Sequence, residues 1–358
     1  MRPVPLLLAL ATACAARGST LPPRPARCAA ETVPGLDTRG VAWSAGRWVA
    51  AIPEGSALSL RAFNAEGAVD GDGLAVLDEP VRRHGVGLVA TARGALVAAA
   101  TARSPATVRV LSVEGASVTE ARDVAVTTEG DLALIPRAGG AALLTERGGR
   151  TELRAVSSEG AVGAARRCPE GVTPRSVAAW QDGYVAVTRA GGVSVVFLDE
   201  DCAAVRSARV AEGEMSSRPA AIAVDGDGAV LSWTDGESRA WVAGVDHGGA
   251  VRVRPTALEA GTEHAAVILA PDAQGRRAEL RVIAVRSNEV QSRLQLYRFD
   301  PRGTLRDVGG ITAAPALLPL AMAPDPWGGA MVVWSRLEGA PGGLGARPSL
   351  AFFSRVCP

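Results

Sequence analysis

The chain has 358 residues, 47% of them hydrophobic and 21% charged, which is enough apolar material for a sizeable buried core. Its 38 basic and 37 acidic residues leave a net charge of +1 with no long run of one sign. That argues against a nucleic-acid-binding face, where basic residues must cluster. Every basic residue is arginine, so a Schiff-base lysine, a phosphate-loop lysine and a Ser-Lys dyad are excluded.

The N-terminus reads as an export signal. Met1-Arg-Pro carries a positive side chain, Val4-Pro-Leu-Leu-Leu-Ala-Leu10 is a short apolar core, and Ala11-Thr-Ala13 precedes Cys14. This arrangement resembles a bacterial lipoprotein signal, in which cleavage before the cysteine leaves it to carry the lipid. Residue 11 is Ala where that signal prefers Leu, and ordinary cleavage after Ala13 also fits. The resemblance implies a signal peptide over 1–13, lipid on Cys14 and a Pro/Arg tether over 14–27. Cysteine parity agrees. Five cysteines are odd for an exported chain, and lipidating Cys14 leaves Cys28, Cys168, Cys202 and Cys357. The segment with Pro22, Pro23 and Pro25 can reach roughly 40 Å from a membrane at ~3.3–3.6 Å per residue. No later stretch reaches ~18 apolar residues, so nothing else spans a membrane as a helix.

From residue 28 to 358 a single pattern recurs seven times, a β-rich run that ends in an apolar residue followed by a turn. It reads Arg61-Ala-Phe63-Asn-Ala-Glu-Gly67, Arg109-Val-Leu111-Ser-Val-Glu-Gly115, Arg154-Ala-Val156-Ser-Ser-Glu-Gly160, Phe197-Leu-Asp-Glu-Asp201, Val245-Asp-His-Gly-Gly249, Phe299-Asp-Pro-Arg-Gly303 and Phe353-Ser-Arg-Val-Cys357. The fourth and seventh copies lack the glycine. The apolar anchors are spaced by 41 to 54 residues. Periods of ~40–50 residues holding several short strands point to a β-propeller.

Within a period the strands are bounded by Gly and Asp turns. The first unit has Gly40-Val-Ala-Trp-Ser44, Arg47-Trp-Val-Ala-Ala-Ile52 and Ala57-Leu-Ser-Leu-Arg-Ala-Phe63. In the fourth, Ser176-Val-Ala-Ala-Trp180 is followed by Tyr184-Val-Ala-Val-Thr188, Val193-Ser-Val-Val-Phe197 and an outer strand over 205–210. In the fifth, the alternating Val251-Arg-Val-Arg254 is an outermost strand whose arginines discourage pairing with another chain. The inner strands are more continuously apolar, as packing between neighbouring blades requires. The seventh unit stops at Pro358 before any outer strand, and Cys28-Ala-Ala-Glu-Thr-Val33 is similar to Cys202-Ala-Ala-Val-Arg-Ser207. The expected fold is therefore all-β, a seven-bladed propeller closed by an N-terminal strand that completes the last blade. This places Cys28 and Cys357 at one turn, as a disulfide joining the ends of the ring. Cys168 and Cys202 then pair by elimination, although they fall at opposite rims when strands are counted.

Candidate chemistry is sparse. His84, His247 and His264 have no histidine partner nearby and read as solvated loop residues. No Gly-x-Ser-x-Gly elbow occurs. Asp70-Gly-Asp72-Gly and Asp225-Gly-Asp227-Gly are similar to fragments of calcium loops but lack the closing acid, so they read as turns and no metal is expected. Trp43, Trp48, Trp180, Trp233, Trp241 and Trp334 lie on strands and read as inter-blade packing. Trp327 lies in the turn Pro324-Asp-Pro-Trp-Gly-Gly329, a candidate binding anchor against the plainer reading of a ring folded over its own loop.

Residues 28–358 resemble the broad class of exported bacterial β-propeller lipoproteins, with neither a WD40-type Trp-Asp signature nor a repeated kelch double glycine. The class implies a lipid-anchored envelope protein, with periplasmic or secreted as the alternative, and loop-built rims. It implies no single activity. The expectation is a non-catalytic binding or scaffolding module for an unknown protein or glycan, without cofactor or nucleic acid. The alternatives are an enzyme whose site is assembled from loops of several blades and a surface adhesion module.

Overall fold

The computed structural model describes residues 30–33 and 40–356, except 45, 55, 92–93, 104–105, 115–116, 129–130, 190, 217–219, 272–276, 288–291, 315–316, 326–328 and 339–346. Among these residues the strands form seven four-stranded antiparallel sheets. The one helical piece is a single 3-10 turn at Pro174–Ser176.

Each sheet is a meander of consecutive strands. Sheet one contains Gly40–Ser44, Arg47–Glu54, Ala57–Phe63 and Leu74–Leu77. Sheet two runs Val81–Ala90, Ala95–Thr101, Thr107–Glu114 and Ser117–Thr127. Sheet three has Leu132–Arg137, Gly140–Arg147, Arg150–Ser157 and the short Arg166–Arg167. Sheet four comprises Val177–Trp180, Gly183–Thr188, Val193–Leu198 and Ala204–Ala211. Ala221–Asp225, Gly228–Thr234, Ala240–Val245 and Val251–Ala257 make sheet five. Thr262–Pro271, Arg277–Ser287, Ser292–Phe299 and Leu305–Ala314 make sheet six.

Sheet seven departs from this rule. Leu317–Pro324, Ala330–Glu338 and Arg347–Val356 supply three strands, and the fourth is the N-terminal Ala30–Val33, paired antiparallel with Ala30 opposite Ser354. The first strands of successive sheets touch in series from sheet one to sheet seven, and the first strand of sheet seven touches that of sheet one. An apolar cluster fills each junction. Sheets one and two, for example, share Ala51, Leu58, Val97 and Leu111, while sheets seven and one share Trp48, Phe63, Met331 and Val333. These sheet-on-sheet faces are the core, because a strand with apolar side chains on both faces must be covered on both.

Burial peaks in the second strand rather than the first. Ala95–Thr101 and Gly228–Thr234 are buried at every position, whereas Ala221–Asp225 is only half-buried throughout. A second strand has a partner on either side and a sheet above and below, while a first strand keeps one free edge. The fourth strands of sheets three, four and five are the most exposed, and Ala204–Ala211 leaves Val205 71% accessible.

The sequence repeat proves to be a specific turn. In sheets one, three, four, five and six the third strand runs out into Asn64, Ser157, Asp199, Asp246 or Asp300, the last residue of the strand in sheet three and the first residue after it in the others. Its side-chain oxygen accepts hydrogen bonds from the backbone N–H two and four residues on. The third residue after it has positive φ, +95° at Gly67, +82° at Gly160, +83° at Gly249 and +86° at Gly303. In sheet four Cys202 occupies this position at φ +65°, so the glycine-less fourth copy is the same turn with its apolar anchor at Leu198 rather than Phe197. In sheet two Glu114 pairs directly with Ser117, which makes that connection shorter and leaves Leu111 inside the strand. Phe353 likewise lies mid-strand, opposite Val333 and Glu31.

Candidate functional site

The turn just described leans on the preceding sheet. A Cβ at Gly249 would lie 3.2 Å from Ala208, and one at Gly303 would lie 2.3 Å from Val253 Cγ1. Arg206 donates to the carbonyl of His247 and stacks its guanidinium 4.4 Å from the Phe197 ring centre. At the junction of sheets three and four the contact is covalent. Cys168 and Cys202 form a disulfide with Cα atoms 5.0 Å apart, and Arg166 pairs with Asp201 at 3.0 Å.

Counting strands put these cysteines at opposite rims, and the sheet twist explains the discrepancy. Adjacent strands rotate by roughly 20–25°, so a fourth strand lies roughly 60–75° off its first strand and crosses toward the next sheet's turn. Cys14, Cys28, Cys357 and Trp327 lie outside the described residues. The turn that holds Trp327 is closed at its base by Asp325, which bonds Gly329 at both N–H and C=O.

His84 and His264 fall in the first strands of sheets two and six. His247 is exposed, but it is packed rather than free. Its ring lies 4.7 Å from that of Trp180, and its nitrogens meet Gln181 and the Gly226 carbonyl. Asp225 accepts from the N–H groups of Asp227 and Gly228 and pairs in two places with Arg277, at 2.8 and 2.6 Å. This carboxylate is consumed by its hairpin and the next sheet. Among the described residues no three His, Cys, Asp or Glu side chains gather as a metal site.

Trp48, Trp180, Trp233 and Trp334 are buried between sheets. Trp241 differs, because it reaches the surface at a cleft between sheets four and five. In sheet five Trp233 pairs across the strands with Trp241 and Thr234 with Ala240. Residues directly opposite in an antiparallel ladder share a face. The two indoles therefore stack, with centroids 6.2 Å apart and planes 12° from parallel.

The intervening turn is held by Asp235, whose Oδ1 accepts from the N–H groups of Glu237 and Arg239 and whose Oδ2 accepts from Trp241 Nε1 at 2.7 Å. The opposite wall is the segment leaving the last strand of sheet four. Met215 forms an isolated bridge with Asp235, and Ser216 N–H donates to the Thr234 carbonyl. The cleft has a volume of about 320 Å³ and is lined by both indoles with Glu212, Glu214, Asp235 and Glu237 around it. Partial burial pushes the Asp235 pKa up, but the Trp241 and backbone donors and the Arg239 charge outweigh it and hold the carboxyl below its usual range. A carboxylate held in its ionised form at neutral pH, with its oxygens occupied, is an orienting group rather than a proton donor. A second cleft, of about 570 Å³, opens beside Arg137, Ser157 and Glu200. Its charges neutralise each other, since Arg137 bonds both Glu200 and the Tyr184 hydroxyl.

The sequence presents Trp233 and Trp241 as packing residues and does not single out the acids, whereas the structure sets both indoles and the acids on one cleft. The available signal was Asp235-Gly-Glu-Ser-Arg239, which repeats the Asp-x-x-x turn at a second kind of hairpin, beside Glu212-Gly-Glu214.

No family model and no curated protein matches the sequence. Solved structures do match the fold. A chain from a crystal structure of a mitotic checkpoint complex aligns with a TM-score of 0.56 and 13% identity, over 100% of this chain and 99% of that one. The WD40 β-propeller domain of Doa1 aligns with a TM-score of 0.51 and 11% identity, over 92% of this chain and 96% of that one. The chain is a β-propeller. A third structure, the dihydro-heme d1 dehydrogenase NirN, aligns with a TM-score of 0.53 and 12% identity over 94% of this chain and 76% of that one. The propeller fold is thus common to an assembly component, a WD40 domain and an oxidoreductase, and function has to be argued from the site.

Proposed function

We propose that this chain is a non-catalytic binding or scaffolding propeller of seven blades, lipid-anchored at the cell envelope, with a protein partner. The seven sheets, the apolar cluster between sheets seven and one and the N-terminal fourth strand of sheet seven support a closed ring. The disulfide supports an oxidising compartment, where such bonds persist.

The observation that carries the binding reading is the cleft of sheets four and five. Its two walls are tied by main-chain hydrogen bonds, its floor is aromatic, and its three glutamates are exposed. A rigid aromatic surface with polar groups around it is the anatomy of a recognition site.

The test is photo-crosslinking in the host envelope. Lysine-directed reagents are unsuited to a chain without lysine, so a photoreactive residue replaces Gly236 at the cleft rim. The expected result is a discrete protein adduct, stronger than from the same residue at Glu66 in the turn of sheet one. Equal labelling from both positions, or none, would sink the reading. The anchor is checked separately by mass spectrometry of the mature N-terminus, which should begin at a diacylglyceryl-modified Cys14. An unlipidated start, or retained Met1, would remove the anchor from this proposal. Non-reducing peptide mapping should also recover Cys28 linked to Cys357, whose neighbours Ala30 and Ser354 face each other.

A further inference from the structure

The cleft's floor and rim differ in chemistry, and together they select a kind of ligand. The floor is the Trp233–Trp241 stack, with the Trp241 indole fixed by its bond to Asp235. The rim carries Glu212, Glu214 and Glu237, all exposed. None of these three has an ion-pair partner among the described residues, whereas Asp225 is met by Arg277 and Glu79 by Arg103 and Arg109. Asp235 adds a fourth negative charge that its hydrogen bonds keep ionised, with Arg239 at the end of the same turn acting on it.

An indole face attracts a cation lying within about 6 Å of its centre. Carboxylates beside it favour a planar guanidinium, which can stack and donate sideways at once, over a compact ammonium, which cannot. A volume of about 320 Å³ has room for one long side chain. We propose that the cleft receives an arginine side chain from a partner protein, its guanidinium against Trp241 and its N–H groups on Glu212, Glu214 and Glu237. This rests on the binding reading above and supplies the site and the partner's chemistry.

The test uses the full chain, in detergent where it carries its lipid. The tripeptides Gly-Arg-Gly, Gly-Lys-Gly and Gly-Glu-Gly are titrated against the indole N–H resonance of Trp241. Gly-Arg-Gly should shift it saturably, Gly-Lys-Gly several-fold more weakly and Gly-Glu-Gly not at all. The triple variant E212Q/E214Q/E237Q changes only exposed side chains. It should keep the melting temperature and lose roughly tenfold in affinity for Gly-Arg-Gly. An unmoved Trp241 resonance, a shift equal for the arginine and lysine peptides, or a shift unchanged in the triple variant would each overturn the proposal. Self-association that disappears in the triple variant would assign the cleft to a second copy of this chain and overturn the partner assignment.

Crosslinking of the triple variant keeps the two readings apart. Undiminished adducts mean the partner binds elsewhere, so this inference fails and the binding reading stands. No adduct from the unmodified chain defeats the binding reading, whatever the tripeptides do.

Discussion

At the residue scale, Asp235 shows how one side chain joins fold to site. Its carboxylate closes the hairpin through two backbone N–H groups and holds the Trp241 indole with its other oxygen. These bonds favour the ionised form, so the folded-state pKa lies below that of the unfolded chain. The stability Asp235 contributes is therefore fully present above its unfolded pKa, near 3.9, and is lost as pH falls through the depressed folded value. D235N, which cannot ionise, should be less stable than the parent at neutral pH, and the gap should close in acid. Denaturant unfolding at pH 7 and pH 3 measures it, and a gap independent of pH would show that the charge contributes nothing. The Asp-x-x-x spacing is readable in the sequence, but the bond to Trp241 is not, because it depends on the register that sets Trp241 opposite Trp233.

At the element scale the repeated hairpin does two jobs. Within its sheet it joins the third strand to the fourth. Across the junction it presses on the preceding sheet, by glycine at Gly249 and Gly303 and by a disulfide at Cys202. In sheets five and six the first residue of the fourth strand also pairs with the buried anchor, Val251 with Val245 and Leu305 with Phe299. These roles separate experimentally. G160A introduces a Cβ that would sit in ordinary contact with Val110 Cγ1 at 3.9 Å, so its cost is the positive φ alone, about 1–2 kcal/mol. G303A carries the same backbone cost and also drives a Cβ to 2.3 Å from Val253 Cγ1, so it should be destabilised by about 1–3 kcal/mol more. Thermal melts of the pair decide this. Equal losses would mean that the turn does not bear on the neighbouring sheet. The anchor–turn pattern announced five of the hairpins at the level of sequence. The shorter connection at Glu114–Ser117 was not legible, since Gly115 follows a similar run there and only the pairing distinguishes it.

At the scale of the whole molecule, the N-terminal strand matters more than its four residues suggest. Without Ala30–Val33 the last strand of sheet seven would present an unpaired edge, and packing between sheets seven and one would have to hold the chain's start to its end without strand pairing. Deleting residues 1–33 should lower the unfolding midpoint and broaden the transition, since sheet seven could fray apart from the rest. A truncated chain that melts as sharply and at the same temperature as the parent would show that this strand is dispensable. The sequence by itself determined the all-β class, the spacing of the repeats and the loan of the N-terminal strand to the last sheet. Each of these follows from local signals, namely turn residues with their side-chain acceptors, apolar runs of strand length, and a final unit one strand short. Parity offered the Cys168–Cys202 pair by elimination, but only the tertiary structure shows how the two come together and that Trp241 shares a cleft with Glu212 and Glu214. These residues belong to different sheets, and the distance between them is set by twist accumulated over several strands and by the angle at which one sheet packs on the next. No local pattern records either quantity.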